Sequence, residues 1–275
     1  MSKIIIFTDL DGTLLDGGYS FQAALPALSL IKDKDIPLIL CSSKTRIEIE
    51  YYRRLLDNHD PFISENGGGI FIPKEYFKLD SGIRDIELFD NNEYYVFRLG
   101  ERYEVLRNAI EELRIDGFDI KGFGDMSVKE VAELTGLTLL EAKMAKSRDF
   151  DEPFIFYENE RRLQQLFSTL KVKGFNVTRG AFHHILGNSD KGRAVSILKG
   201  LYRNKFKSIT TVAIGDSPND IPMLQNVDLP AVVRKPNGEY DPLINMPNIA
   251  KAAGIGPDGW NGFVLNLINN LSTNN

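Results

Sequence analysis

The sequence predicts an α/β fold: a Rossmann-like parallel-sheet core formed by residues 1–80 and 187–275, interrupted by an inserted α+β domain over residues 81–186. Three observations predict it. Short apolar runs rich in β-branched residues recur, and each ends abruptly in polar residues, as buried parallel strands do. Helical patterns opened by N-cap signals stand between these runs, and strand–helix alternation argues for a parallel sheet with right-handed crossovers. Over the middle of the chain the alternation disappears and charged and aromatic residues mix.

The first run, Ile4-Ile5-Ile6-Phe7-Thr8, ends in Asp9-Leu10-Asp11-Gly12-Thr13. In open α/β sheets, sites form beyond the carboxyl ends of strands. Asp9 and Asp11 alternate as strand neighbours do, so both can face one pocket, and Gly12 lets the backbone turn there. Two close carboxylates repel unless a cation or a shared proton relieves them, and one functional reading is a hard, oxygen-loving ion such as Mg²⁺. One carboxylate can then attack phosphorus, and the other can protonate the leaving group and later deprotonate water. The competing reading is an Asp-rich turn closing a strand.

Residues 21–31 carry helical spacing, and Pro37-Leu38-Ile39-Leu40-Cys41 is a second buried-strand pattern. It ends in Ser42-Ser43-Lys44-Thr45, with Glu48 completing a capping box at Thr45. Hydroxyls beside a helix N-terminus suit a phosphate, or simply cap the helix. Residues 61–64 read as a third strand, and Glu65-Asn66-Gly67-Gly68-Gly69 as the tight turn of a hairpin.

In the inserted region, residues 102–113 are amphipathic. Ser127 with Glu130 and Thr138 with Glu141 form two more capping boxes. Residues 153–157 and 175–178 read as strands flanking a helix over 161–170. A lid inserted in a sheet can exclude water and recognise a leaving group. Lys143, Lys146, Arg148 and Arg179 are its candidate anion contacts, with solvated surface charge the simpler reading of each.

The core pattern then returns. Lys191 opens a helix, where the dipole favours acids rather than a lysine, so its ammonium is read as neutralising the aspartates and phosphoryl oxygens. Residues 209–214 form a buried strand ending in Gly215-Asp216-Ser217-Pro218-Asn219-Asp220, a second acid pair at a strand mouth, and residues 229–233 form another strand.

Composition sets bounds on partners. The chain has 275 residues, 43% hydrophobic and 26% charged, with a net charge of −5 and no long basic run, so nucleic acid is not an expected partner. No apolar stretch approaches the length of a membrane span, and with the first strand directly after Met1-Ser2-Lys3 no signal peptide is expected. The expected location is the cytoplasm, with no membrane partner. The single cysteine, Cys41, excludes an internal disulfide framework.

Asp9-Leu10-Asp11-Gly12-Thr13-Leu14 resembles the first motif of the haloacid dehalogenase-like phosphohydrolases. Ser42, Lys191 and Gly215-Asp216-x-x-Asn219-Asp220 match that pattern's further stretches in order. The insert resembles the superfamily's mixed α/β cap. The resemblance implies a Mg²⁺-dependent phosphatase in which Asp9 attacks phosphorus and Asp11 serves as acid, then base. It implies metal held by Asp9, the Asp11 backbone carbonyl and Asp216. Ser42, with Ser43 in reserve, and Lys191 would hold the phosphoryl group, while Asn219 and Asp220 orient Lys191 and a water on the metal. It also places Asn66 at the pocket rim, within reach of substrate.

A narrower likeness is to the mannosyl-3-phosphoglycerate phosphatase group. It rests on Cys41-Ser42-Ser43-Lys44-Thr45, Ser64-Glu65-Asn66-Gly67-Gly68, Arg148-x-x-x-Glu152-Pro153-Phe154 and Gly256-Pro257-Asp258-Gly259-Trp260-Asn261. It implies a phosphorylated sugar-glycerate substrate, mannosyl or glucosyl, whose carboxylate Arg148 is expected to bind. The rival role for Arg148 is an ion pair with Glu152, Asp149 or Asp151. One departure stands out: that group often has Arg-aromatic-x-His before the lysine motif, whereas this chain has Ala181-Phe182-His183-His184, with the arginine displaced to Arg179.

Other readings fit less well. A cysteine-dependent phosphatase resembles a His-Cys pair followed by a spaced Arg, but Leu40 precedes Cys41 and Ile47 stands where the Arg belongs. A broader sugar-phosphate phosphatase keeps every core motif. A phospho-acceptor signalling domain has no use for Asp11 or a large cap, and a catalytically dead binding module would be expected to lack a motif residue.

Overall fold

A computed structural model describes residues 2–78, 86–89 and 93–273. The expected domain boundary near residue 80 lies outside the described residues. In chain order the elements are β1 (Lys3–Thr8), α1 (Leu25–Asp33), β2 (Leu38–Leu40), α2 (Arg46–Leu55), β3 (Phe62–Ser64), β4 (Gly69–Pro73), β5 (Ile86–Phe89) and β6 (Tyr94–Arg98). There follow α3 (Tyr103–Ile115), β7 (Ile120–Gly122), α4 (Val128–Thr135), α5 (Leu139–Ala145), β8 (Asp151–Phe156), α6 (Glu160–Val172), β9 (Asn176–Arg179) and β10 (His183–Leu186). The last are α7 (Lys191–Lys205), β11 (Ile209–Gly215), α8 (Ile221–Gln225), β12 (Leu229–Arg234), β13 (Ala250–Ile255) and α9 (Gly256–Thr273).

By contacts the chain divides into two compact units, Met1–Ser42 with Lys191–Asn275, and Ser43–Asp190. The first holds a sheet of order β13-β12-β11-β1-β2, parallel throughout. Its central strands are buried on both faces, with Ile5, Ile6, Phe7, Ile39, Leu40 and Ile214 fully enclosed, which is why they read as unbroken apolar runs. Strand β13 was not expected. Its sequence, Ala-Lys-Ala-Ala-Gly-Ile, lacks the β-branched run that signals a strand.

The second unit is α+β. One antiparallel sheet has order β3-β4-β6-β5 and the other β7-β8-β10-β9. The expected strand at 61–64 is β3, and it pairs in a hairpin with β4 rather than joining the parallel sheet. Phe150 explains the glycines of the turn between them, because a Cβ at Gly68 or Gly69 would lie 2.3 or 2.5 Å from its side chain. Helices α3 and α6 bury Leu106, Ile110, Leu113, Leu166 and Leu170 in a cluster with Phe154 and Ile185 of β8 and β10. All three expected capping boxes form, at Thr45/Glu48, Ser127/Glu130 and Thr138/Glu141. Among the described residues, no helix is long and apolar enough to cross a membrane.

Candidate active site

Sheet register assembles the site. Thr8 is level with Leu40 of β2 and Ile214 of β11, so the residues leaving all three strands emerge side by side. The Asp9 N–H donates to the Ile214 carbonyl (2.9 Å) and the Cys41 N–H to the Thr8 carbonyl (2.8 Å), extending the pairing one residue beyond the strands. Asp9, Ser42 and Asp216 therefore come together at one end of the sheet. Gly12, at φ 77°, turns the loop back, and a Cβ there would sit 2.9 Å from an Asp216 carboxylate oxygen. That is why glycine follows the second aspartate. Thr13 donates its hydroxyl to Asp216 Oδ1 at 3.3 Å.

Lys191, the first residue of α7, is 1% exposed. Its ammonium donates to Asp9 Oδ1 (2.7 Å) and Asp220 Oδ1 (2.6 Å). The other Asp220 oxygen accepts the backbone N–H groups of Asp216 (3.0 Å) and Ser217 (3.1 Å). A Cβ at Gly215 would lie 2.6 Å from the Asp220 side chain, so glycine there admits the carboxylate. Burial opposes the Lys191 charge, but Asp220 and Asp9 outweigh it and hold the ammonium protonated well above its ordinary range.

The acids respond to one another. Burial pushes the Asp9 carboxyl well up, as do Asp220, Asp216 and Asp11, against the pull of Lys191. Burial and Asp220 push Asp216 up to about 6. Oxygens of Asp9, Asp216 and Asp220 lie within 4.8 Å of one another. Three buried carboxylates around one ammonium leave excess negative charge, so a cation fits this all-oxygen donor set. Because both Asp220 oxygens already accept hydrogen bonds, Asp220 is suited to orienting Lys191, and Asp9 and Asp216 to holding the ion.

The sequence matches are decisive at this point. The profile of the haloacid dehalogenase-like hydrolases matches residues 6–239. The chain belongs to this family. A glucosyl-3-phosphoglycerate/mannosyl-3-phosphoglycerate phosphatase of Methanococcoides burtonii is 48% identical over 269 residues, covering 97% of each chain. One of the same description from Persephonella marina is 42% identical over 272 residues, 98% of each. In fold, the chain is similar to a Bacteroides thetaiotaomicron phosphatase of the haloalkanoate (HAD) superfamily, with a TM-score of 0.66 at 16% identity, covering 98% of this chain and 95% of that one. The resemblance read from the motifs is borne out, as is a parallel-sheet core carrying the family's inserted cap.

The remaining candidates lie in the second unit. Arg148 has a side chain only 6% exposed and pairs with Asp151 Oδ1 at 2.8 Å. It also donates to the carbonyls of Ser43 (2.8 Å) and Ala145 (2.7 Å). The other Asp151 oxygen meets Asn66 Nδ2 (3.1 Å) and His184 Nδ1 (3.0 Å). Burial alone would raise Asp151, but Arg148 and His184 hold it below the usual carboxylate range. So Arg148 and Asn66 come together, both turned to a buried acid. Lys146 donates to the carbonyls of Phe123 and Met126, and Lys143 is exposed. Arg179 is exposed on β9 and lines a different cavity of about 350 Å³ with Lys171, Phe167 and His183.

Glu65 was missed by sequence reasoning. It is fully buried at φ 48°, and its carboxylate accepts three successive backbone N–H groups, Asp149 (3.0 Å), Phe150 (2.7 Å) and Asp151 (2.9 Å). The acid in the hairpin turn thus latches the start of β8, setting Asp151 in place. The available signal was an acid inside a glycine-rich turn, where nothing local needs a charge.

Proposed function

We propose that this chain is a Mg²⁺-dependent phosphatase that hydrolyses glucosyl- and mannosyl-3-phosphoglycerate to the glycosylglycerate and phosphate through an aspartyl-phosphate at Asp9. The observation that carries the chemistry is the Asp9 carboxylate at a strand mouth, 2.7 Å from a buried lysine ammonium. The substrate reading is supported by the two relatives matched over nearly their whole length.

The residues divide the work as phosphoryl transfer requires, mostly by positioning and charge stabilisation. An Asp9 oxygen attacks phosphorus, and the bond from phosphorus to the glycerate oxygen breaks. Asp11, as general acid, gives a proton to that oxygen. Asp11 then takes a proton from water, whose oxygen attacks the phosphorus of the aspartyl-phosphate, releasing phosphate and restoring Asp9. Lys191 and Ser42 hold the phosphoryl oxygens throughout, while Asp220 fixes Lys191. Asp9, the Asp11 carbonyl and Asp216 would hold Mg²⁺, which offsets negative charge on the phosphoryl group.

In the second unit we read Arg148, Asn66 and Glu65 as holding the unit's own frame. The test is a phosphate-release screen over both glycosyl-3-phosphoglycerates and a panel of simple sugar phosphates. Efficient release from the phosphoglycerates is expected. Release from simple sugar phosphates with none from either phosphoglycerate would overturn the substrate assignment.

A further inference from the structure

The run Gly256-Pro257-Asp258-Gly259-Trp260-Asn261 has no part in the chemistry above, yet it opens α9 directly against the nucleophile loop. Trp260 is fully buried. Its indole N–H donates to Thr8 Oγ1 at 2.9 Å, and the Thr8 hydroxyl in turn donates to the Asp9 backbone carbonyl at 2.8 Å. An indole nitrogen can only donate, and a hydroxyl has one proton. Trp260 therefore forces Thr8 to accept from it and turns the Thr8 proton onto Asp9.

The same helix touches the far end of the loop. A Cβ on Gly256, at φ 47°, would come 3.3 Å from the Gly12 carbonyl oxygen, a tight contact that puts the start of α9 close against the loop. The turn into α9 is itself tight, since a Cβ on Gly259 would lie 2.6 Å from the Gly254 carbonyl oxygen. Two residues further on, Asn261 Oδ1 accepts the Ala27 N–H at 2.9 Å in the first turn of α1. These contacts fix where α9 stands, and α9 fixes the peptide that joins Asp9 to Leu10.

We propose that Trp260, acting through the Thr8 hydroxyl, is a positioning residue for the Asp9 nucleophile. Fixing the Asp9 carbonyl fixes the peptide plane that sets both the Asp9 carboxylate and, two residues on, Asp11. In-line attack is sensitive to misplacement on the ångström scale. The inference rests on Asp9 being the nucleophile.

The test compares Thr8→Val, Thr8→Ser, Trp260→Phe and the Thr8→Val/Trp260→Phe double variant, with Asp9→Asn alongside, on p-nitrophenyl phosphate. Thr8→Val keeps shape and β-branching, so it remains informative if Trp260→Phe folds poorly. Losing the link is expected to lower kcat about tenfold with KM unchanged, as one lost hydrogen bond would. Thr8→Ser should restore the rate, and the double variant should be no slower than the slower single variant, because both changes break one chain.

Trp260 is the only tryptophan in the sequence, so the protein gives a single indole N–H resonance. Thr8→Val should shift it and Thr8→Ser should leave it near its native position. Native kcat in Thr8→Val with Asp9→Asn inactive would overturn the inference while leaving the function intact. Multiplying losses in the double variant, or an unmoved indole resonance in Thr8→Val, would also overturn it. Activity in Asp9→Asn would remove the nucleophile itself, and the inference with it.

Discussion

Replacing Arg148 by alanine separates two roles with different kinetics. The guanidinium pairs with Asp151 Oδ1 at 2.8 Å, and the two side chains are 6% and 0% exposed. Removing one member of a buried ion pair costs about 3–5 kcal/mol, because the other charge is left without compensation. For a unit of this size that corresponds to a fall in Tm of roughly 6–20 °C. Two carbonyls, of Ser43 and Ala145, also lose their donor. Because Arg148 is here a member of the frame, Arg148→Ala should lower stability and change kcat/KM for glycosyl-3-phosphoglycerates and p-nitrophenyl phosphate by the same factor. Adding Asp151→Asn should recover part of the loss by removing a buried charge that keeps only Asn66 and His184 as partners. Stability comes from denaturant unfolding, and kcat/KM from phosphate release at a temperature where both proteins are folded. A native unfolding midpoint with a loss confined to the phosphoglycerates would instead assign Arg148 to the substrate carboxylate.

Other outcomes follow from the same contacts. Lys191→Met leaves Asp9 and Asp220 buried without their shared cation, and should cost about 3–5 kcal/mol of stability and roughly 10²–10³ in kcat; near-native turnover would contradict the role given to Lys191. Chelation by EDTA should abolish phosphate release and Mg²⁺ restore it, whereas full activity in verified metal-free protein would exclude the metal assignment. Asp125 accepts from Arg107, Arg114 and the Gly122 N–H; burial works against its charge, but these partners hold its carboxyl below the ordinary 3.8. A depressed folded pKa gives stability that is present above 3.8 and lost as pH falls through the folded value. Asp125→Asn should therefore destabilise by on the order of 1 kcal/mol at neutral pH after solvent screening. The gap to the native protein should close in acid, and a gap that widens in acid would contradict the sign.

How much was legible depended on how local each cause is. Buried parallel strands announce themselves by unbroken apolar runs, so β1, β2, β11 and β12 were found, and with them the acids at their ends. The three capping boxes were readable because both partners lie within four residues. Asp9, Asp216 and Asp220 stand together as expected, since β1 and β11 are adjacent, and Lys191 reaches Asp9 and Asp220 from the start of α7. The Glu65 latch was not readable, because its amide donors are 84–86 residues away. Arg148 and Asp151 are three residues apart, and that pair was one of several open to the arginine. What decided it was enclosure of both side chains, which a linear pattern does not carry. β13 was invisible because its partner β12 supplies the pairing that its own residues do not signal.

In the proposed mechanism phosphate passes through a covalent bond to Asp9. The most direct measurement is rapid quenching of the enzyme during turnover, borohydride reduction of any acyl-phosphate, and mass spectrometry of the peptide from the first loop. Reduction of the Asp9 side chain to an alcohol is expected in the native enzyme, and neither reduction nor turnover in Asp9→Asn. An unmodified Asp9 peptide under steady turnover, or modification at another residue, would contradict it.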